Sequence, residues 1–494
     1  MDIFQLIEDF LSYAERNLEL NSFDKIYARN RIYDDLGVYP SGDFSSPKKI
    51  NDVNYFVKEF TKYYAKKNLD ETSIQINLSR LFDMVSPRPS VVVDKFNYLY
   101  KKNPKLATDY LYKLGINNYY IHKADIDKNI EWTTNFKKGS NIEVSINLSK
   151  PEKNNKDIAK LLSKKEEMNY PKCVICLENL GFAGSNKKAP RHNIRLIPLK
   201  INSETWYMQY SPYGYFKEHM ILIDSKHEYM EISPRIFSNL FAFVDQFPYY
   251  SIVSNSDLPI VGGSILNHEH FQGGNYRFPL QKAKDEFVIK SKKYKQTKIS
   301  FLSFYNTAFK LVGKDKKEIL KIASMFLEKW RTYTDKDVNI IAKSNDERHN
   351  TITPILSKNK NNEYEFIMIL RNNNTSKEYP DGIYHVHPEY FAIKKEGIGV
   401  IEAMGRFILP ARLVRQVKEV EDVVKHHYNK KEYLKKYPDL VIFENMINDL
   451  RKTHMSSKDY ISEVGKNILL NTSVFKKDPT GYLHLHKFIK KLDL

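Results

Sequence analysis

The sequence has little cysteine and no long uncharged apolar stretch. Its 494 residues include only Cys173 and Cys176, which excludes a disulfide framework and indicates a reducing compartment. No stretch reaches about 18 uncharged apolar residues, and residues 1–20 carry several charges in an amphipathic pattern, which excludes a membrane span and a signal peptide. We therefore expect a cytoplasmic protein without membrane contact.

The sequence has fewer acidic residues than basic ones. The chain has 60 Asp and Glu against 78 Lys and Arg, a formal net charge of +18, which raises nucleic acid as a partner. The lysines are scattered, however, and the sequence contains neither a dense basic segment nor a nucleic-acid-binding motif. We expect no nucleic-acid partner, and a noncatalytic nucleic-acid-binding protein is the distant alternative.

Apolar side chains are plentiful, at 41% hydrophobic and 13% aromatic residues, which suffices for two or three packed domains at this length. Helical spacing of apolar residues runs through the first 160 residues, and short β-rich runs with Gly, Pro and Asn follow at 170–290. The same alternation recurs beyond 300, and the final hundred residues turn helical again. The pattern predicts an α+β protein with a mainly helical region 1–165, a sheet domain 166–295, and a second sheet domain with a helical tail 296–494.

Individual elements can be placed within the two sheet domains. Helices are predicted from Ser233-Pro234 onward, where a cap precedes a proline, and at 318–331. Strands are predicted at 194–201, 206–210, 219–223, 249–255, 264–270, 338–342, 364–370 and 384–393.

One segment concentrates polar groups that suit chemistry at phosphorus. In an extended backbone His268, His270 and Gln272 face the same side, and glycines flank them on both ends. A neutral imidazole can attack phosphorus and hold a phosphoryl group covalently. An amide can donate a hydrogen bond to phosphate but delivers no proton, so the leaving group must already be a good one, such as a sugar 1-phosphate. The segment predicts nucleotide transfer between phosphates; the alternative is a structural histidine pair.

Three further features are candidates for binding. Cys173 and Cys176 have the spacing of one corner of a tetrahedral zinc site, and the alternative is a reduced pair packed as small apolar residues. His385-Val-His387 lacks a following Gln and precedes a proline, so we expect a structural or substrate-contact role for it. The guanidinium fork of Arg371 matches phosphate geometry.

Several blocks together resemble one family. The segment NSDLPIVGGSILNHEHFQGG at 255–274 resembles the active-site signature of type 2 galactose-1-phosphate uridylyltransferases, members of the histidine-triad-like superfamily. Similar blocks are PKCVICLENLGFAG at 171–184, ILRNN at 369–373, PDGIYHVHP at 380–388 and ILPAR at 408–412. The resemblance covers nearly the whole chain. It implies two histidine-triad-like halves of antiparallel sheet with helices, a helical N-terminal region and a helical C-terminus.

The resemblance also implies a reaction and its residues. In a ping-pong exchange, UDP-glucose uridylylates His270, glucose 1-phosphate leaves, and galactose 1-phosphate takes the uridylyl group to give UDP-galactose. His268 and Gln272 are the implied active-site partners, with Gln272 on the transferring phosphoryl group. Other implied contacts are Asn255, Gly263 and Ser264 on the nucleotide phosphates, and Lys395 and Glu402 at the hexose.

The resemblance implies no cofactor for the chemistry. In the related type 1 enzymes a cysteine pair joins two histidines around a structural zinc, and the matching positions here are Cys173, Cys176, His227 and His268; type 2 members need not keep the metal. A homodimer is implied as well. The nearest alternative is a dinucleoside polyphosphate or nucleotide-sugar phosphorylase of the same superfamily, which uses inorganic phosphate as acceptor.

Overall fold

The computed structural model describes residues 2–40, 46–136, 139–149, 170–185, 187–395 and 397–494. The chain divides into two compact units. The first holds the described residues of Met1–Lys128, Pro151–Gly214 and Glu218–Ser225, and the second those of Asn129–Lys150, Tyr215–Lys217 and Lys226–Leu494. Among the helices of these ranges, none combines the length and apolarity that a membrane crossing needs.

The helices, numbered in chain order, are α1 Ile3–Asn17, α2 Ser22–Leu36, α3 Val53–Lys66, α4 Glu71–Met84, α5 Pro89–Lys102, α6 Pro104–Asn117, α7 Lys123–Ile126, α8 Pro234–Gln246, α9 Pro279–Lys282, α10 Lys316–Thr332, α11 Val400–Ala403, α12 Arg412–Lys425, α13 Lys430–Lys436, α14 Glu444–Thr453, α15 Ser457–Thr472 and α16 Pro479–Ile489. Short 3-10 helices lie at Leu177–Asn179, Lys336–Val338, Pro388–Tyr390 and Pro438–Phe443.

The strands are β1 Ile130–Thr134, β2 Ile142–Asn147, β3 Ile197–Ile201, β4 Glu204–Tyr210, β5 Met220–Asp224, β6 Ser251–Ser254, β7 His270–Gly274, β8 Asp285–Ile289, β9 Lys298–Leu302, β10 Ala308–Gly313, β11 Lys343–Ser344, β12 Glu347–Arg348, β13 Asn350–Lys358, β14 Tyr364–Asn372 and β15 Arg406–Pro410.

The first unit is mainly helical. Side chains cap the starts of several helices: Asn21 accepts hydrogen bonds from the first turn of α2, and Asp70 accepts one from the backbone of Ser73. The apolar faces meet around Phe10, whose ring centroid lies 5.0–5.3 Å from those of three phenylalanines on α3 and α4. Strands β3, β4 and β5 form an antiparallel meander in this unit.

The described residues of the second unit contribute to three sheets, of which the smallest is the two-stranded hairpin β11-β12. Seven strands follow the order β7-β6-β13-β14-β10-β9-β8, all antiparallel. The pair β6 and β13 joins the strands before residue 295 to those after it, with Val253 opposite Ile355. A smaller sheet has the order β1-β2-β15, with β15 parallel to β2.

Two amphipathic helices cover the larger sheet of the second unit. Phe237 of α8 packs on Phe366 of β14 with ring centroids 5.2 Å apart. Trp330 of α10 is fully buried, and its indole N–H donates to the carbonyls of Thr351 and Arg371 at 3.0 and 3.1 Å. Because Trp330 bonds to both strands of the β13–β14 pair, it helps to fix the backbone of Arg371 within β14.

The structure confirms the α+β class, the helical N-terminal region and the helical C-terminus. Helices α8 and α10, and strands β3 to β6 and β14, lie where the sequence predicts them. The predicted boundary near residue 165 lies outside the described residues, and the division at 295 stays a prediction.

Three predicted strands are wrong. Residues 338–342 form a turn, in which Asn339 adopts a left-handed φ of 59° and Asp335 and Ile340 exchange backbone hydrogen bonds. Residues 384–393 include a 3-10 helix at Pro388–Tyr390, because a proline suits a first helical turn better than a strand interior. Residues 264–269 are a loop, and the strand begins only at His270.

Candidate functional site

His270 is the first residue of β7, in the second unit. Its side chain is buried, and Nδ1 lies 2.8 Å from the backbone carbonyl oxygen of His268. A carbonyl can only accept, so Nδ1 carries the hydrogen and Nε2 keeps its lone pair. Burial, with a smaller contribution from neighbouring His268, lowers the pKa of His270 to about 4. At neutral pH the ring is therefore uncharged and has one nucleophilic nitrogen.

Gln272 follows two residues later on the same strand. Residue 271 pairs with Ser254 and residue 272 with Val253, so β7 is extended over these positions. Alternation places the side chains of His270 and Gln272 on one face of the strand, while Phe271 is fully buried on the other. The predicted arrangement of His270 and Gln272 is thus present, although His268 precedes the strand rather than belonging to it.

The loop before β7 is held by backbone and ionic contacts within the second unit. The N–H of Met230 donates to the carbonyl of Leu266, and the N–H of Glu269 donates to the carbonyl of Glu228, both at 2.9 Å. The buried Glu269 carboxylate pairs with Arg235 at the start of α8. These contacts replace strand pairing over 264–269 and explain why the predicted strand is absent.

Asn255 and Gly263 make a close contact in the chain ahead of His270. A Cβ on Gly263 would stand 2.6 Å from the Asn255 side-chain nitrogen, so any larger residue there would displace the Asn255 side chain. The Asn255 side-chain oxygen accepts a hydrogen bond from the N–H of Val400 at 3.1 Å. Asn255 thereby connects residues 255–263 to the start of α11. Ser264, next along, is exposed.

Asp257 anchors the same segment. Its buried carboxylate accepts from Arg348 at 2.7 Å and from the N–H of Ile232 at 2.9 Å, and Thr351 also bonds to it. Arg331 lies 3.9 Å away. Asp257 belongs to no recognisable motif in the sequence, because its partners come from three distant parts of the chain.

Arg371 and Glu402 lie in the second half of the second unit. Arg371 is buried, and its Nη2 donates to the carbonyl of Ile398 at 2.9 Å. Burial lowers the pKa of Arg371 to about 10, which still leaves the guanidinium charged at neutral pH. The Glu402 carboxylate pairs with Lys394 at 3.1 Å, and both side chains are buried.

Lys394 and Lys395 have different environments. Lys395, which the resemblance places at the hexose, is exposed, with its ammonium 5.8 Å from the centre of the Phe391 ring. Lys394 is the buried member and the partner of Glu402. The sequence could not distinguish Lys394 from Lys395, because two adjacent lysines give no signal of which one is buried.

The two cysteines lie close together within the first unit. The Sγ atoms of Cys173 and Cys176 are 3.1 Å apart, and the N–H of Cys173 points to Sγ of Cys176 at 3.2 Å. Two sulfurs converging in this way, with a backbone donor on one of them, suit a soft metal such as zinc.

The two histidines of the predicted metal site lie close together within the second unit. The rings of His227 and His268 have centroids 4.4 Å apart at an angle of 41°. His268 is buried and His227 is half-buried. Imidazoles are ordinary zinc ligands, so the types of all four side chains fit the predicted ion.

The chain is similar to known proteins along its whole length. A profile of the galactose-1-phosphate uridyl transferase N-terminal domain matches residues 19–228. The galactose-1-phosphate uridylyltransferase of Lactococcus lactis subsp. lactis is 38% identical over 491 residues, covering 99% of both chains. That of Clostridium acetobutylicum is 38% identical over 507 residues, covering 98% of this chain and 99% of its own.

Among solved structures, yeast Ap4A phosphorylase aligns with 69% of this chain and 89% of its own at 9% identity, with a TM-score of 0.34, too low to support a conclusion. The full-length relatives carry the assignment instead. At 38% identity from end to end, they show that this chain belongs to the galactose-1-phosphate uridylyltransferase family.

Proposed function

We propose that the chain is a uridylyltransferase that exchanges UMP between UDP-glucose and galactose 1-phosphate through a covalent intermediate on His270. The observation that carries the proposal is the neutral ring of His270, whose Nδ1–H is held by the His268 carbonyl and whose Nε2 keeps a lone pair. Family membership supports the choice of substrates.

The first half-reaction forms one bond and breaks one. The Nε2 lone pair attacks the uridylyl phosphorus of UDP-glucose, and the bond from that phosphorus to the bridging oxygen breaks, so that the electron pair leaves with glucose 1-phosphate. The uridylylated ring is positive, and its Nδ1–H donates to the carbonyl of His268. Gln272 donates a hydrogen bond to a phosphoryl oxygen and supplies no proton.

The second half-reaction reverses these steps with a different sugar phosphate. A phosphate oxygen of galactose 1-phosphate attacks the same phosphorus, the phosphorus–nitrogen bond breaks, and His270 recovers its lone pair as UDP-galactose leaves. No cofactor is needed for this chemistry. In this proposal Asn255, Gly263 and Ser264 contact the nucleotide phosphates, Arg371 contacts a phosphate, and Lys395 and Glu402 contact the hexose.

We also propose a structural zinc bound by Cys173, Cys176, His227 and His268. The closeness of the two sulfurs, and separately of the two rings, supports it. Zinc on the His268 ring would hold the residue whose carbonyl orients His270, which is a structural rather than a chemical role. Metal analysis of protein purified without chelator is expected to give about one zinc per chain, and less than about 0.2 would refute the site.

Two parts of the proposal rest on the sequence alone. The homodimer rests on the family resemblance, and light scattering on the purified protein should give twice the chain mass of 58.2 kDa. A cytoplasmic location rests on the two-cysteine composition, and fractionation of cells that produce the protein would check it.

The central test is the intact mass of the protein after exposure to UDP-glucose. Wild type and the control His426→Ala, a change at an exposed histidine, should gain one uridylyl unit, whereas His270→Ala should gain none. Galactose 1-phosphate should then remove the added mass and yield UDP-galactose. Turnover with inorganic phosphate but none with galactose 1-phosphate would favour the phosphorylase alternative instead.

A further inference from the structure

Two buried side chains of the second unit have unused hydrogen-bonding atoms. Arg371 is 1% exposed and His385 is 5% exposed. Within the part of the chain that the structure describes, Nε and Nη1 of Arg371 and both ring nitrogens of His385 have no hydrogen-bond partner. Buried polar groups are nearly always satisfied, so four orphan nitrogens indicate that a polar group from outside the chain belongs there.

The two side chains converge on one short segment. His385 Nε2 lies 3.8 Å from the position that a Cβ on Gly397 would take. Nη2 of Arg371 donates to the carbonyl of Ile398, the next residue, at 2.9 Å. Consecutive residues contact the two side chains, and the Arg371 charge contributes to the lowered pKa of His385, so the two side chains are neighbours.

The charge around these nitrogens selects an anion. Arg371 is positive, Lys394 adds a second buried positive charge, and the nearby negative groups that act on this pair are Glu402, already paired with Lys394, and Asp381. A metal ion bound by His385 would have to sit beside a guanidinium. Consistent with this, no cluster of potential metal ligands among the described residues includes His385.

Residues 397–400 also contact the segment at 255–274 that carries His270. Val400 donates its N–H to Asn255, and a Cβ on Gly399 would stand 3.6 Å from the same Asn255 oxygen. A Cβ on Gly399 would also lie 3.5 Å from a carboxylate oxygen of Glu402. Asn255 and Glu402 therefore both lie beside the segment that Arg371 contacts, and the Lys394–Glu402 pair suits sugar hydroxyls.

From these observations we propose that Arg371 and His385 together bind the phosphate of the hexose 1-phosphate, which is the leaving group of one half-reaction and the acceptor of the other. The inference rests on the proposed function and deepens it, because it assigns His385 a ligand and separates this phosphate from the uridylyl phosphoryl group at His270 and Gln272.

The experiment measures direct binding of galactose 1-phosphate by calorimetry, without turnover. In His385→Leu and in Arg371→Gln the affinity should fall by about 10- to 100-fold, as expected for losing a charge-assisted contact. His426→Leu is the control, since this histidine is exposed and has no part in the proposed binding sites. It should change the affinity by less than about twofold.

A measurement on the unaltered protein covers the case in which a variant does not fold. Galactose should bind at least about 100-fold more weakly than galactose 1-phosphate, because it brings no anion to the orphan nitrogens. Inorganic phosphate should compete with galactose 1-phosphate. Equal affinity for the sugar and its phosphate, or unchanged affinity in folded His385→Leu and Arg371→Gln, would overturn the inference.

The outcome can be separated from that of the proposed function. A protein that forms the uridylyl adduct but binds galactose 1-phosphate independently of Arg371 and His385 refutes this inference alone. A protein that binds galactose 1-phosphate through both residues yet never gains the adduct refutes the uridylyl exchange and leaves the anion site in place.

Discussion

Residues 255–274, which contain the proposed nucleophile His270, and the surroundings of Arg371, which contain His385, each include a buried histidine. The two regions differ in how the histidine ring is held. His270 and His385 are equally buried, at 5% exposed, and burial lowers the pKa of each to about 4. His270 donates from Nδ1 to a backbone carbonyl, which leaves Nε2 as a directed lone pair. No described group bonds to either nitrogen of His385. Burial alone therefore assigns no role to either ring. The hydrogen bond at Nδ1 is what distinguishes the proposed nucleophile His270 from the proposed binding group His385.

The largest expected effect tests this difference directly. Replacing His270 with alanine removes the atom that carries the uridylyl group, so the exchange rate should fall at least about a thousandfold. His385→Ala removes only a contact to phosphate, and the loss should be about 10- to 100-fold. Exchange of label between glucose 1-phosphate and UDP-glucose measures both. Equal losses in the two variants would contradict the comparison.

A second test concerns the side-chain amide of Gln272, two residues after the proposed nucleophile His270. Gln272→Glu places a negative charge next to the phosphoryl group and should slow exchange about 100- to 1000-fold. Gln272→Met, which has a similar size but no hydrogen-bond donor, should slow it less, since it adds no repulsion. Single-turnover rates of adduct formation would measure both variants. A Glu variant faster than the Met variant would show that Gln272 does not face the phosphoryl group.

A third test compares two glycines, Gly263 beside Asn255 and Gly397 beside His385. In Gly263→Ala the new Cβ would lie 2.6 Å from Asn255, whereas in Gly397→Ala the nearest atom is 3.5 Å away. The first change should destabilise the protein by about 1–3 kcal/mol and misplace Asn255, and the second by less. Urea unfolding and turnover of both variants measure this difference. A larger loss of stability in Gly397→Ala than in Gly263→Ala would mean that the close approach of Gly263 to Asn255 does not contribute to stability.

A fourth test concerns the pH dependence of stability. Both rings stay neutral in the folded protein down to about pH 4, whereas an unfolded histidine takes a proton near pH 6.5. The unfolded state therefore binds more protons between these values, and stability falls as the pH drops from about 6.5 to 4, by up to about 1.4 kcal/mol per pH unit for each ring.

Replacing one ring should remove its share of this slope. Denaturant unfolding of wild type and His385→Leu at several pH values should therefore give a shallower dependence in the variant. Parallel curves would show that His385 takes up its proton equally in the folded and unfolded states.

The sequence was most informative where the pattern is local. Apolar spacing predicted helices α8 and α10, and alternation predicted β14. The predicted strand at 264–270 was wrong because its backbone bonds to residues 228 and 230 instead of to a neighbouring strand, and no local pattern shows this. The prediction at 338–342 was wrong for a local reason, since the turn at Asn339 overrides the β-branched residues beside it.

The residues of the candidate site show the same contrast between local patterns and long-range contacts. His270, Gln272, the flanking glycines and the cysteine pair could be named from the sequence, because each belongs to a short motif whose spacing limits its chemistry. Asp257, Lys394 and the unsatisfied nitrogens of His385 could not, because their roles depend on residues that fold next to them from distant positions.

By itself, the sequence determined the α+β class and the family and pointed to residues 255–274 as the segment with the proposed nucleophile, since composition, periodicity and motif spacing are properties of the chain alone. Only the tertiary structure decided which nitrogen of His270 is available, which of the adjacent lysines is buried, and that Arg371 and His385 share one neighbourhood. Hydrogen bonding and burial depend on distances between residues far apart in the chain, and the order of residues does not specify those distances one by one.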